Sequence, residues 1–179
     1  MIYQSMSGDA SGTQGTFTMT GGALNYTPST GPLFYVNNST AIVTLKGVTL
    51  AAKSGLLVSA AAGNWGTSGS NGGTVVLTAD GQTLTGDMTA DSLSSIAATL
   101  KNGSLLTGKL TSVSLTLDST SMWTVTENSA LTSLTDPAGV SGASITNIKG
   151  NGYTVTYNAS LSANSYLAAR YIPWPAAVC

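Results

Sequence analysis

The chain has 179 residues, 42% of them apolar, enough for one domain with a core and against either disorder or a two-domain enzyme. Its 6 basic and 7 acidic side chains make up 7% of the residues, against roughly 25% in an average soluble domain, and a net charge of -1 excludes a nucleic-acid footprint. With no His at all, histidine zinc sites and His-based triads are excluded as well.

Water must therefore be met by 27 Thr, 24 Ser and 21 Gly, residues that favour strands and turns over helix interiors, so the chain reads as all-β. The single cysteine, Cys179, permits neither an intramolecular disulfide nor a CxxC metal site. No apolar run approaches the ~20 residues of a membrane helix, so no membrane insertion is expected. Met1 to Gln4 lacks a basic region followed by an apolar stretch, so no signal peptide is expected, although the composition is that of an extracellular or cell-surface protein.

In chain order, short alternating stretches end in Gly or Asn turns and are followed by a second apolar anchor. The first is Phe17 to Met19 with Gly21-Gly22 and the anchor Leu24; the second is Val43 to Leu45 with Gly47 and Leu50. Gly63 to Gly73, with five Gly and one aromatic, Trp65, is a low-complexity insertion that reads as a protruding loop. The series continues with Val75 to Leu77, Gly81 and Leu84, then Ala98 to Leu100, Gly103 and Leu106. Leu115 to Leu117 with Ser119 and Trp123, and Ile145 to Ile148 with Gly150 and Tyr153, complete it. Leu93, Ile96, Ala97 and Leu100 also fit helical spacing, but the same stretch reads as a strand leading into a unit. Units of about 17 to 32 residues have the length of one solenoid coil. A sandwich with hairpins is the competing architecture. Unequal unit lengths favour stacking, because a loop can bulge from a coil without disturbing its neighbours. The expected fold is a parallel β-helix of irregular coils, one domain over 1–167 with an atypical tail over 168–179. The expected interior is Phe17, Met19, Leu24, Val43, Leu45, Val75, Leu77, Leu100, Leu115, Leu117, Val125, Ile145, Ile148 and Val155.

The wording of Gly8 to Phe17, Ala61 to Gly73, Leu115 to Val125 and Ile145 to Val155 resembles bacterial right-handed parallel β-helix surface proteins, adhesin-like or pectin-lyase-like. The likeness spans about Tyr3 to Leu167. It implies a right-handed β-helix on a bacterial surface and brings no catalytic motif with it. Members of that group tend to close with a Gly-rich tail, whereas this chain reads Ser165-Tyr-Leu-Ala-Ala-Arg-Tyr-Ile-Pro-Trp-Pro-Ala-Ala-Val-Cys179. A single-nucleotide frameshift after Leu167 would convert one into the other, so a gene fragment with a shifted tail is expected.

Among candidate chemical groups, Asp80, Asp87 and Asp91 lie within twelve residues beside turns. Gathered on one face by a short strand at Thr83 to Thr85, they could hold Ca²⁺ or act as acid and base in glycan cleavage. The plainer reading is that they are turn residues bonding their own backbone. Asp118 and Glu127 read the same way. Lys46, Lys101 and Lys149 recur just after strands, where a lyase could use a base but a solenoid would simply have solvated corners. No Gly-x-Ser-x-Gly elbow occurs, and without His a conventional serine hydrolase is excluded.

Trp65, with Tyr26, Phe34 and Tyr35, could stack on sugar rings, while Trp123 in an alternating strand reads as core. Thr-x-Thr words at Thr16 to Thr20, Thr83 to Thr85, Thr124 to Thr126 and Thr154 to Thr156 could form hydroxyl ladders of an ice-binding kind. They recur at no fixed period and read instead as β-propensity on a solvated surface. The leading expectation is a non-enzymatic extracellular segment with an adhesive role, binding polysaccharide or a cell-surface ligand and needing no cofactor. The alternative is a Ca²⁺-assisted hydrolase or lyase acting on polysaccharide through Asp80, Asp87 and Asp91. Open coil ends with self-association are also expected, with Tyr171 to Val178 folding back as a makeshift cap.

Overall fold

The computed structural model describes residues 1–5 and 12–167. The tail 168–179, with its expected capping role, lies outside these residues. Alternating sequences make short strands, turns bend the chain after each, and every coil lays its strands parallel to those of the next. The result is a parallel β-helix with three faces.

Face A stacks β2 (Gln14–Thr20), β5 (Thr40–Lys46), β8 (Thr74–Asp80), β11 (Ser95–Lys101), β13 (Leu110–Leu117) and β15 (Ser129–Thr135). Face B carries two ladders, β3 (Ala23–Tyr26) with β6 (Thr49–Ala52), and β9 (Thr83–Thr85), β12 (Leu105–Thr107), β14 (Met122–Thr124) and β18 (Ile148–Lys149). Face C is built from β1 (Ile2–Gln4), β4 (Phe34–Asn37), β7 (Leu56–Ala60) and β10 (Asp87–Ala90). It joins face A where the start of β13 pairs with β10 and the rest with β11. After β15 the chain makes a 3-10 turn at Pro137–Gly139 and an antiparallel hairpin, β16 (Val140–Ser141) with β17 (Ser144–Ile145). It then returns through β18 to β19 (Val155–Tyr157), which pairs with β15, and to a 3-10 helix at Ser162–Leu167. No helix among the described residues is long and apolar enough to cross a membrane.

The interior consists of stacked rows. On face A, Phe17, Val43, Leu77, Ala98, Leu115 and Leu134 stand in register, as do Met19, Leu45, Ala79, Leu100 and Leu117. On face B, Leu84, Leu106, Trp123 and Ile148 form one buried row, and the Trp123 indole N–H donates to Gly108 O at 2.9 Å. Phe34, Val58, Met88 and Leu110 do the same on face C. Eleven of the fourteen expected interior residues are buried; Phe17, Met19 and Leu24 are half-buried because they belong to the outermost coil. Leu45 stacks on Ala79 rather than Leu77, and Ile148 lies on face B, so the expected periodicity mixed rows. Tyr153, expected as an anchor, is exposed, and Ile148 takes its place. The helical alternative over Asp91 to Leu100 is overturned by β11, which turns Ala97 outward.

The corners between faces A and B are stitched by buried polar side chains. Gln82 accepts from Val48 N at 2.8 Å and donates to Val48 O at 2.8 Å, Ser104 Oγ accepts from Gln82 N, and Ser121 Oγ accepts from Ser104 N. Each satisfies backbone groups that a turn would otherwise leave unpaired in the interior.

Candidate functional site

The insertion between β7 and β8 is pinned at both ends. Asp91 Oδ2 accepts from Ala62 N at 2.6 Å, Ser94 Oγ accepts from Gly73 N at 2.9 Å, and Asn38 N donates to Asn71 O at 3.1 Å. Asn71 is buried and donates to both Gly63 O, at 2.7 Å, and Trp65 O, at 2.9 Å. Gly63 lies so close to the Asn37 side chain that a Cβ there would strike it, and Gly66 is held in the same way against Asn38 with φ +83°. Gly63 and Gly66 thus serve close packing of the loop onto the coil.

Trp65 is 45% exposed on this pinned loop. It rims an open groove of about 230 Å³ lined by Gln4, Tyr35, Asn37, Gly63 and Asn64. Parallel pairing of β1 with β4 places Gln4 beside Asn37. Asn37 is 1% exposed; its amide donates to Ala61 O at 2.8 Å, and its Oδ1 has no partner among the described residues. The groove therefore combines two aromatic rings with amide groups and carries no formal charge, a composition that suits neutral hydroxyl-bearing molecules.

The carboxylates are not brought together. Asp80 ends β8 at the corner between faces A and B, Asp87 opens β10 on face C, and Asp91 follows β10 at the next corner. Although β9 forms as expected, it separates Asp80 from Asp87 instead of gathering them. Each is engaged locally. Asn102 donates to Asp80 at 2.7 Å and Lys101 stands 3.5 Å away, together holding the Asp80 carboxyl below the ordinary carboxylate range. Asp87 accepts from Lys109 N at 2.8 Å. Burial works against ionisation of Asp91, yet the hydroxyl of Ser94 and the N–H groups of Ala62, Leu93 and Ser94 outweigh it and lower its pKa. Among the described residues no three acidic, His or Cys side chains are grouped as metal ligands.

Asp118 is likewise a corner anchor, accepting from Asn102 N, Thr120 N and Ser121 N. Glu127 pairs with Lys109 at 3.1 Å. Lys46, Asp80 and Lys101 form one register row at the edge of face A, while Lys149 sits on face B beside Thr124. Phe34 is buried against Phe17, with ring centroids 5.6 Å apart, so it cannot stack on a ligand. Tyr26 donates to Thr30 O and lines a separate open groove with Leu50 and Lys53. Only Tyr35 joins Trp65. Gln4 and Asn37 carried no local signal, because stacking of distant segments assembles them.

These features define a parallel β-helix with a neutral, aromatic-rimmed groove at one corner. In comparisons with known proteins, no family model, no curated protein and no solved structure matches the chain.

Proposed function

We propose that this chain is a structural and adhesive β-helix segment of a bacterial surface or secreted protein, and that it binds neutral polysaccharide in the groove at Trp65. The observation that carries this reading is the Trp65 ring, left 45% exposed on a loop whose backbone is fixed on both sides. A ring left so exposed offers apolar surface to the apolar face of a sugar. Tyr35 extends the aromatic surface, and the Gln4, Asn37 and Asn64 amides offer donors and acceptors to ring hydroxyls. The resemblance of its wording to bacterial β-helix surface proteins supports the extracellular setting. No observation favours cleavage of the glycan, since the three candidate carboxylates stand at separate corners.

Trp65→Ala is expected to weaken binding to a soluble neutral polysaccharide roughly tenfold or less, the loss of about 1 kcal/mol of ring contact. Its melting temperature should stay with that of the wild type. Isothermal titration across a panel of neutral and acidic polysaccharides, beside thermal unfolding, checks both. Unchanged affinity, or a large drop in melting temperature, would retire the groove as a glycan site.

A further inference from the structure

Six threonines that are scattered in sequence stand in one line on the outer surface of face A. Thr18 pairs with Thr44, Thr44 with Thr78, Thr78 with Thr99, Thr99 with Thr116 and Thr116 with Thr135. Every coil of the face thus presents the same side chain at the same register position. All six face outward, since the residues between them in each strand form the buried rows. Beside this line runs a second, Thr16, Ile42, Val76, Ala97, Ser114 and Ser133, and beyond it Gln14, Thr40, Thr74 and Ser95. None of these positions is charged or aromatic. Charge on the outward side of the face is confined to the row Lys46, Asp80 and Lys101 at its edge.

We propose that face A binds the surface of ice. Strand pairing sets the repeat along the threonine line at about 4.8 Å, and alternate residues along a strand stand about 6.7 Å apart. Both repeats lie near those of the oxygen lattice on faces of hexagonal ice. Recognition of a crystal surface requires regularity, stiffness and low charge, and face A has all three. Its ladders from β2 through β5 and β8 to β11 run without a register shift. β-branched side chains hold few χ1 rotamers, so the hydroxyls repeat with the backbone. Threonine places a methyl beside each hydroxyl, which orders water without the strong hydration of an ion.

The other faces lack this pattern. The threonine line on face B is only Thr85, Thr107 and Thr124 before it meets Lys149, and face C mixes Tyr35, Ser59, Thr89, Thr111 and Ala130. A polysaccharide is the less suitable occupant of face A, because sugar platforms use exposed rings and this face has none.

Ice-affinity partition and recrystallisation assays on the full chain test the proposal. The wild type should concentrate in the growing ice and suppress recrystallisation. Thr78→Lys and Thr99→Lys, outward substitutions whose folding is verified by melting temperature, should each lose both effects to the level of a non-binding control protein. Thr107→Lys on face B should keep them. Exclusion of the wild type from ice, retention by a folded Thr78→Lys or Thr99→Lys, or equal loss in Thr107→Lys would overturn the assignment. Trp65→Ala should leave ice partition intact, which separates this face from the proposed glycan groove.

Discussion

At the end of the solenoid formed by β2, the outermost face A strand pairs only with β5 among the described residues, and its Phe17 and Met19 remain half-buried. At the opposite end, β15 is paired over Ser129 to Leu131 by β19, and side chains take over where that strand stops. Asn164 Oδ1 accepts from Leu134 N at 3.0 Å, and its amide donates to Thr132 O at 2.9 Å. Tyr166 completes the seal, donating to Leu134 O and accepting from Asp136 N, both at 2.8 Å. One amide side chain therefore does the hydrogen bonding of a further strand. Open ends were the expectation for both termini; among the described residues β2 pairs with β5 alone, whereas the β15 edge is covered before residue 168. An edge of this kind can be closed by two well-placed side chains, without another coil.

Depth in the stack should set the cost of truncation. Trp123 is fully buried between Leu106 and Ile148 and donates to Gly108 O, so Trp123→Ala should cost about 4 kcal/mol through cavity formation and an unpaired carbonyl. Phe17→Ala, an aromatic truncation at the β2 end, should cost about half as much, because only part of its surface leaves water. Denaturant unfolding of the two variants compares them directly. Equal losses would show that the end coil is packed as tightly as the centre.

The contrast also explains what the sequence could tell. Alternation within a strand is local, and it marked Leu84, Leu106 and Trp123 as anchors and Val43, Leu77 and Leu115 as interior. Register between coils is not local. Val113 stands 17 residues after its partner Ile96, whereas Thr74 stands 34 after Thr40, and such unequal coils hide the threonine line from any search for a fixed period. The same reason hid Gln82, Ser104 and Ser121, which are buried at corners only because coils stack. The exposure of Trp65 was legible because an aromatic in a Gly-rich insertion is anomalous by itself. Asn37 was not, since its burial depends on Gly63, more than twenty residues away. Asp80, Asp87 and Asp91 are close in sequence and apart in the fold for a simpler reason: proximity in sequence does not survive a chain that turns a corner after every few residues.

The side-chain cap offers the next test. Asn164→Ala leaves Leu134 N, Thr132 O and Asn158 O without their partner, at an expected cost of about 2 kcal/mol. It also opens the β15 edge, so the variant should self-associate more than the wild type. Thermal unfolding with light scattering reads both. A variant that matches the wild type in stability and stays monodisperse would show that the amide is not what closes this end.

The smallest expected effect lies just behind that cap and concerns pH. Asp136 is fully buried; its Oδ1 accepts from Gly139 N at 3.0 Å and from Asn147 Nδ2 at 2.9 Å. Asp136 Oδ2 and Asn147 Oδ1 have no partner among the described residues, and a Cβ on Gly139 would strike both, so the two acceptors border the same small space. Burial raises the Asp136 pKa. The folded state therefore holds this proton more tightly than the unfolded chain, and the associated stability is fully present below the ordinary carboxylate pKa, about 4, and lost as pH rises through the raised value. Asp80, Asp91 and Asp118, all lowered, act in the opposite sense and lose their contribution as pH falls. Asp136→Asn keeps the acceptor for Gly139 and places an N–H donor beside Asn147 Oδ1, in both states of the medium. At pH 7 it should stabilise the fold by about 1 kcal/mol, while at low pH the difference should vanish, because protonated Asp136 then supplies the same donor. Melting temperatures of both proteins across the acidic to neutral range decide the matter. If the gap between them does not widen with pH, the second oxygen of Asp136 is satisfied by some other donor, and the two acceptors do not oppose each other at this end of the solenoid.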